Sequence, residues 1–183
     1  MKLTPSGSQT VGPFFRIGLE HLCATGAKPD ENSETITVYG KVLDGDGIPV
    51  PDAVLEIWHT NAHGTYSTEP GESGRPACFT RAVTDEDGTY RFAIAMPGAP
   101  ACDSELSQSP HLAVLVFARG LMRHLITRMY FPDEAVNASD TLLQMVPVDR
   151  RHTLIAEAEA RNAHVFEWNV VLKGTDETVF FAW

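Results

Sequence analysis

The sequence predicts an all-β protein, a single-domain β-sandwich of about eight short strands with long loops and short helices. Short segments of alternating apolar and polar residues recur along the chain, and glycine-rich turns separate them. Helical periodicity is confined to two short patches, 132–136 and 149–160. No internal repeat or linker divides the 183 residues, a length that suits one hydrophobic core.

The clearest predicted strands are residues 36–42, 53–59, 90–94, 112–118, 125–131, 165–172 and 178–183. Turn residues follow the first of these strands at Asp44-Gly45-Asp46-Gly47 and precede the third at Asp87-Gly88. The segment 112–118 is a continuous apolar run, which is typical of a strand buried on both faces. In 165–172 the alternation predicts a single apolar face made of Phe166, Trp168, Val170 and Leu172.

Residues 1–34 are rich in proline, glycine and serine, so we interpret them as an N-terminal arm with loops. The sandwich is then expected to occupy residues 35–183. The first residues lack the apolar core of a signal peptide, and the three cysteines share no short spacing. These features favour reduced thiols and a cytoplasmic protein.

The formal net charge of −10 limits the possible partners. Nucleic acids and anionic membranes require a basic face, so the sequence predicts neither as a partner. An anionic small molecule would gain nothing from the overall field. It would need a local cation, because charges more than about 8 Å apart are screened at physiological salt.

Three residues are candidates for function, and each has a structural alternative. Tyr66 lies on a loop after the second strand, where a tyrosine more often packs or donates a hydrogen bond. His111 enters a strand, where a buried histidine is more often a satisfied core residue than a ligand. Arg128 interrupts an apolar strand and needs an anion, either a salt-bridge partner or the carboxylate of a ligand. His59 and His63 are interpreted as surface or supporting histidines.

An ordered set of motifs spans residues 36 to 131. In chain order they are Gly40-x-Val42-x-Asp44-Gly45-Asp46-Gly47-x-Pro49-Val50, Glu56-x-Trp58-His59-x-Asn61-Ala62-x-Gly64-x-Tyr66, Thr84-Asp85-x-Asp87-Gly88-x-Tyr90-x-Phe92 and Pro97-Gly98. Together they resemble the intradiol ring-cleavage dioxygenases, non-haem ferric enzymes that open catechols between the two hydroxyls. The segment from Trp58 to Tyr66 is the most specific part of the resemblance.

In that family two tyrosinates and two histidines hold the ferric ion. Tyr66 matches the first tyrosine and His111 matches the first histidine, but Ala113 stands where the second histidine belongs. The loop after Pro97-Gly98 has no tyrosine, and Gln108 replaces an arginine that usually precedes the first histidine. The resemblance therefore implies that Tyr66 and His111 are vestigial ligand positions. It also implies that this chain holds no metal and has no catalytic residue of its own.

Further motifs, at 4–15, 117–121, 127–131 and 177–181, are similar to the iron-free chain of a two-chain member of this family. The implied partner is a homologous chain that carries Fe(III), in a higher hetero-oligomer of paired units. The implied substrates are a carboxylated catechol and O2. Thr10, Gly12 and Pro13 would form one wall of the partner's pocket, and Arg128 would attract the substrate carboxylate.

Two other functions stay open on the sequence alone. The strand-turn pattern from Gly40 to Ala53 also occurs in transthyretin-like sandwiches, which would make the chain a stand-alone binding or interaction module. A self-sufficient catechol dioxygenase with unusual ligands is the third reading. The N-terminal arm and Thr127-Arg128 favour the two-chain enzyme over the binding module, and the missing ligands count against the third reading.

Overall fold

The structure is a computed structural model that describes residues 4–23, 34–69, 78–101 and 106–182. Within these ranges nine strands form two sheets, which confirms the predicted β-sandwich. The strands are β1 (Thr35–Leu43), β2 (Val54–Trp58), β3 (Phe79–Val83), β4 (Thr89–Ala95), β5 (His111–Phe117), β6 (Leu125–Tyr130), β7 (Glu157–Glu159), β8 (Asn162–Glu167) and β9 (Val170–Val171). The helices are α1 (Pro13–Glu20), α2 (Glu134–Asn137), α3 (Thr141–Met145) and a 3-10 helix over Val148–Leu154. In the described ranges no helix has the length and apolarity needed to cross a membrane.

The two sheets differ in how their strands pair. The larger sheet has the order β4-β1-β8-β7, with β9 also beside β1. In it β1 runs antiparallel to β4 but parallel to β8 and β9. The smaller sheet has the order β3-β2-β5-β6, and its three pairings are all antiparallel.

The core lies between the two sheets and follows directly from side-chain alternation, since residues i and i+2 of a strand face the same way. The smaller sheet contributes Leu55, Ile57, Ala82, Leu112, Val114, Val116 and Met129 to it, and the larger sheet contributes Ile36, Val38, Val42, Tyr90, Phe92, Ile94, Phe166, Trp168 and Val170. On β5 the inward set and the first outward residue, His111, are buried, while the outward Ala113, Leu115 and Phe117 are half-buried. The prediction that 112–118 is buried on both faces is therefore wrong for the outward face.

The arm contains a helix that the sequence interpretation missed. Pro13 opens α1 at its first position, where the lack of an N–H costs nothing, and Gly12 precedes it in an extended conformation. The Phe15 ring lies 5.3 Å from the Phe117 ring of β5, measured between centroids. Thr10 Oγ1 accepts a 2.8 Å hydrogen bond from the amide N–H of Gly120, in the loop after β5. These contacts place the arm beside the far end of β5.

The predicted strand 165–172 is broken in two between β8 and β9. The Trp168 carbonyl turns out of the ladder and accepts a 2.6 Å hydrogen bond from the buried Tyr90 hydroxyl. It lies so close to Gly40 that a Cβ there would overlap it. The Asn169 side chain then replaces the missing backbone acceptor and takes the N–H of Lys41 at 2.7 Å. The single apolar face was predicted correctly, because the break preserves the alternation of burial.

Two further assignments differ from the sequence prediction. The patch 149–160 is a 3-10 helix followed by β7, not one helix, because the chain extends beside β6 where the Ala156 N–H bonds to the Tyr130 carbonyl at 2.9 Å. The predicted last strand has no ladder over its described part, residues 178–182. That segment makes only separated contacts, such as the 2.7 Å bond from the Phe181 N–H to the Ile126 carbonyl.

A buried carboxylate ties the helical region to the smaller sheet. Asp140 is fully buried and is the N-cap of α3, where its Oδ1 accepts the N–H of Leu143 at 2.8 Å. The same oxygen accepts the Tyr130 hydroxyl at 3.1 Å, and Oδ2 accepts the N–H of Ser109 at 2.8 Å. One side chain therefore fixes the start of α3, the end of β6 and the residue pair before β5.

We expect Asp140→Ala to lower the free energy of unfolding by about 3 kcal/mol, because three buried donors lose a charged acceptor at once. Urea unfolding followed by circular dichroism measures the change. Asp46→Ala is the matched control, since Asp46 is exposed in a turn, and it should stay within about 0.5 kcal/mol of the parent. Equal stability of the two variants would contradict the role given to Asp140.

Candidate functional site

The loop that follows β2 is a rigid turn built on Asn61. The Asn61 Oδ1 atom accepts the N–H groups of His63 and Thr65, each at 3.0 Å. The Gly64 N–H bonds back to the Asn61 carbonyl at 3.0 Å, and Gly64 has a φ of +76° that favours glycine. The asparagine and glycine of the Trp58–Tyr66 motif therefore shape the backbone that carries Tyr66.

A second loop, residues 97–101, packs directly on this turn. The Gly98 N–H bonds to the Asn61 carbonyl at 2.9 Å, and the Ala101 N–H bonds to the Gly64 carbonyl at 2.9 Å. The Thr60 hydroxyl donates to the Gly98 carbonyl at 2.6 Å. A Cβ on Gly98 would overlap the Ala62 carbonyl, which explains the glycine at this point. Backbone hydrogen bonds thus join the two loops in which the family places its tyrosines.

Tyr66 lies at the edge of this assembly with 50% of its surface exposed. Partial burial raises the pKa of its hydroxyl above the usual value of 10, although the positive charge of Arg128 opposes that rise. The phenol is therefore a neutral hydrogen-bond donor near pH 7. Any metal bound here would first have to displace its proton.

His111 is buried at the start of β5, with only 2% of its surface exposed. Its Nδ1 atom lies 2.8 Å from the Ser109 carbonyl, and its ring centroid lies 5.8 Å from that of Tyr130. Burial, followed by the charge of Arg128, lowers the pKa of the imidazole to about 4. His111 is therefore neutral at pH 7 and its Nδ1–H is committed to the backbone.

Arg128 is the direct cross-strand neighbour of Ala113. Its side chain therefore shares the outward face of the smaller sheet with Ala113 and His111. Among the residues that the structure describes, its buried Nη1 atom has no hydrogen-bond partner and Arg128 forms no ion pair. We call Tyr66, His111 and Arg128 the remnant site.

The donor set of the remnant site does not fit a ferric ion. A phenol and an imidazole remain, but position 113 offers a methyl group and the 97–101 loop offers no tyrosine. The ranges that the structure describes contain no group of three or more His, Cys, Asp and Glu side chains able to hold a metal ion. The orphaned Nη1 atom of Arg128 also brings a positive charge to these donors.

The other candidate residues lie elsewhere. Thr10, Gly12 and Pro13 are exposed and lie near the far end of β5, beside Gly120, whereas His111 begins the same strand. A seven-residue strand separates these two ends by about 20 Å. The structure thus places His111 and Arg128 on one face of the smaller sheet, with Tyr66 within reach of the charge of Arg128, and it places the arm residues in a second region. An open groove of about 720 Å³, lined in part by Val11, Phe117 and Met122, runs beside that region.

Two supporting residues were missed from the sequence. Tyr130 contacts the His111 ring, and Asp140 holds the Tyr130 hydroxyl and the Ser109 amide. Asp140 could have been found as an N-cap, because it directly precedes an apolar helical turn. Of the two loop histidines, His59 is buried and His63 is exposed.

Comparison with known proteins agrees with the geometry. A family model described as Dioxygenase matches residues 16–174. The α chain of protocatechuate 3,4-dioxygenase from Burkholderia cepacia is 37% identical over 99% of this chain and 98% of its own length. The β chain of the same enzyme from that organism is 32% identical over 94% of this chain and 77% of its own length.

A solved structure shows that the fold is shared. An intradiol ring-cleavage dioxygenase from Tetranychus urticae matches with a TM-score of 0.64, over 85% of this chain and 90% of that chain, at 18% identity. Three observations indicate the same family: the motif that carries Tyr66, the β-sandwich that positions this motif, and the family match over residues 16–174. The chain belongs to the intradiol ring-cleavage dioxygenase family.

Proposed function

We propose that this chain is the α subunit of a protocatechuate 3,4-dioxygenase and that a homologous β chain holds the iron. Intradiol dioxygenases are non-haem iron enzymes in general. The identity of 37% to an α chain over nearly the full length supports the assignment. The observation that carries it is the pairing of Ala113 with Arg128, where the ligand set needs an imidazole.

The proposed reaction takes protocatechuate and O2 to 3-carboxy-cis,cis-muconate, with both oxygen atoms retained in the product. The ferric ion of the partner chain would supply the ring-opening chemistry. This chain would complete the pocket in a hetero-oligomer of paired α and β chains, and we place that assembly in the cytoplasm. Thr10, Gly12 and Pro13 of the arm would bind and orient the substrate. Arg128, which lies toward the other end of β5, would attract the substrate carboxylate at the mouth of the pocket and would not share that wall.

The arm suits this role because its geometry is fixed before any partner binds. Thr10 is anchored to Gly120, and Arg16 of α1 lies 3.7 Å from an Asp52 carboxylate oxygen. Gly12 and Pro13 are held between these anchors and remain exposed. A Cβ built on Gly12 would meet nothing within 4 Å in this chain. If a larger residue is not tolerated at position 12, the steric conflict would therefore be with the partner chain.

The proposal predicts a difference in colour and activity between the single chain and the complex. We expect the purified chain to be colourless, free of iron and inactive toward protocatechuate. Co-expression with a homologous β chain should give a coloured complex, because ferric tyrosinate absorbs visible light, and should give ring cleavage. Iron analysis, visible spectra and oxygen uptake measure these outcomes. A red, active chain without a partner would overturn the proposal.

The open space at Gly12 gives a second prediction. We expect Gly12→Ala to lower kcat/KM for protocatechuate about tenfold in the complex, because one methyl group misplaces the substrate or the partner's wall. The unfolding free energy of the chain should fall by no more than about 1 kcal/mol, because alanine is a poorer N-cap than glycine but loses less chain entropy on folding. Gly18→Ala adds the same methyl group in open space on α1 and is the control. Equal kcat/KM for both variants would remove Gly12 from the pocket.

Arg128 gives a third prediction, based on its unpartnered Nη1 atom. In the complex we expect Arg128→Gln to raise KM for protocatechuate about tenfold and to leave KM for catechol unchanged, because only protocatechuate carries a carboxylate. With the parent chain in the complex, the KM for protocatechuate should rise as salt is added, because salt screens the attraction between Arg128 and the carboxylate. Arg91→Gln, at an exposed position of the larger sheet, makes the same change of charge as a control. Unchanged KM values for both substrates would reject this role.

A further inference from the structure

The remnant site already contains a cation of its own. Arg128 of β6 pairs with Ala113 of β5, and Ala113 in turn pairs with Trp58 at the end of β2. These three side chains therefore lie in one row across the outward face of the smaller sheet. His111 projects from the same face two residues earlier on β5. A side chain added at position 113 would meet the arginine directly.

The charge of Arg128 reaches the donors that remain. Arg128 lies opposite Ala113, and Tyr130, two residues farther along β6, lies opposite His111, so the guanidinium and the imidazole share one face of the sheet. Half-buried surroundings leave that charge less screened than it would be in bulk water.

We infer that the Arg128 guanidinium stands in place of a metal charge and bars metal cations from the remnant site. The arginine is then a barrier in addition to the missing histidine and the missing second tyrosine, and restoring the histidine alone is not enough to restore binding. This inference concerns only this chain's own residues and does not depend on the proposed α-subunit role.

Two electrostatic effects of the guanidinium oppose each other. It favours ionisation of Tyr66, which would help a metal to bind, and it repels the metal itself. The first effect acts through one unit of phenolate charge, whereas the second scales with the two or three charges of the cation. Repulsion is therefore the larger effect.

The experiment restores the ligand with and without the arginine in the full-length chain. Ala113→His creates a histidine pair at i and i+2 on β5, which is suitable spacing on one strand face. We expect Ala113→His alone to bind Zn²⁺ no better than the parent in isothermal titration calorimetry. Adding Arg128→Gln should tighten zinc binding by at least about 100-fold, to one ion per chain.

A control separates local charge from total charge. Ala113→His with Arg91→Gln has the same net charge as the first double variant, but its change lies on the exposed face of the larger sheet. It should bind zinc as weakly as Ala113→His alone. Circular dichroism and thermal unfolding check that each variant is folded. Arg128→Met, which keeps the apolar stem, replaces Arg128→Gln if that double variant does not fold.

Two results would overturn the inference. Zinc binding by Ala113→His alone that is as tight as in the double variant would show that the guanidinium is no barrier. A folded double variant that binds no zinc would show that charge is not what excludes the metal. Neither result requires assembly with a β chain, so the proposed function is tested separately by the coloured complex.

Discussion

The alternation of side chains along β5 is the constraint on which the rest of the structure depends. Leu112, Val114 and Val116 must enter the core between the sheets, which forces His111 and Ala113 outward. A shift of one residue would turn the imidazole into the core between the sheets and turn the aliphatic residues outward, so the register is strongly fixed. The outward-facing Ala113 then lies opposite Arg128 of β6, and this cross-strand pair gives the remnant site its positive charge.

The fold class could be predicted from the sequence because the strands have a strong period of two. The exceptions have local causes that no pattern shows. The break after β8 depends on a tyrosine hydroxyl from β4 and on an asparagine that replaces a backbone acceptor. The helix α1 was missed because its residues lie in a segment rich in glycine and proline, and its packing depends on an aromatic contact with Phe117.

The candidate site was predictable in part. Tyr66, His111 and Ala113 were found because their motifs tie each residue to a ligand position, and Arg128 was found because a charge in an apolar strand needs an explanation. The sequence could not show that Arg128 and Ala113 are opposite each other, because strand register depends on the loop between β5 and β6. It also could not connect Asp140 to His111, since that connection passes through Tyr130 and Ser109.

The hydrogen bonds between the Asn61 turn and the 97–101 loop have a consequence for how such a chain can change over time. These loops are clamped by backbone groups, and the clamp uses no ligand side chain. Replacing a side chain at a ligand position therefore removes none of the hydrogen bonds that hold these two loops together.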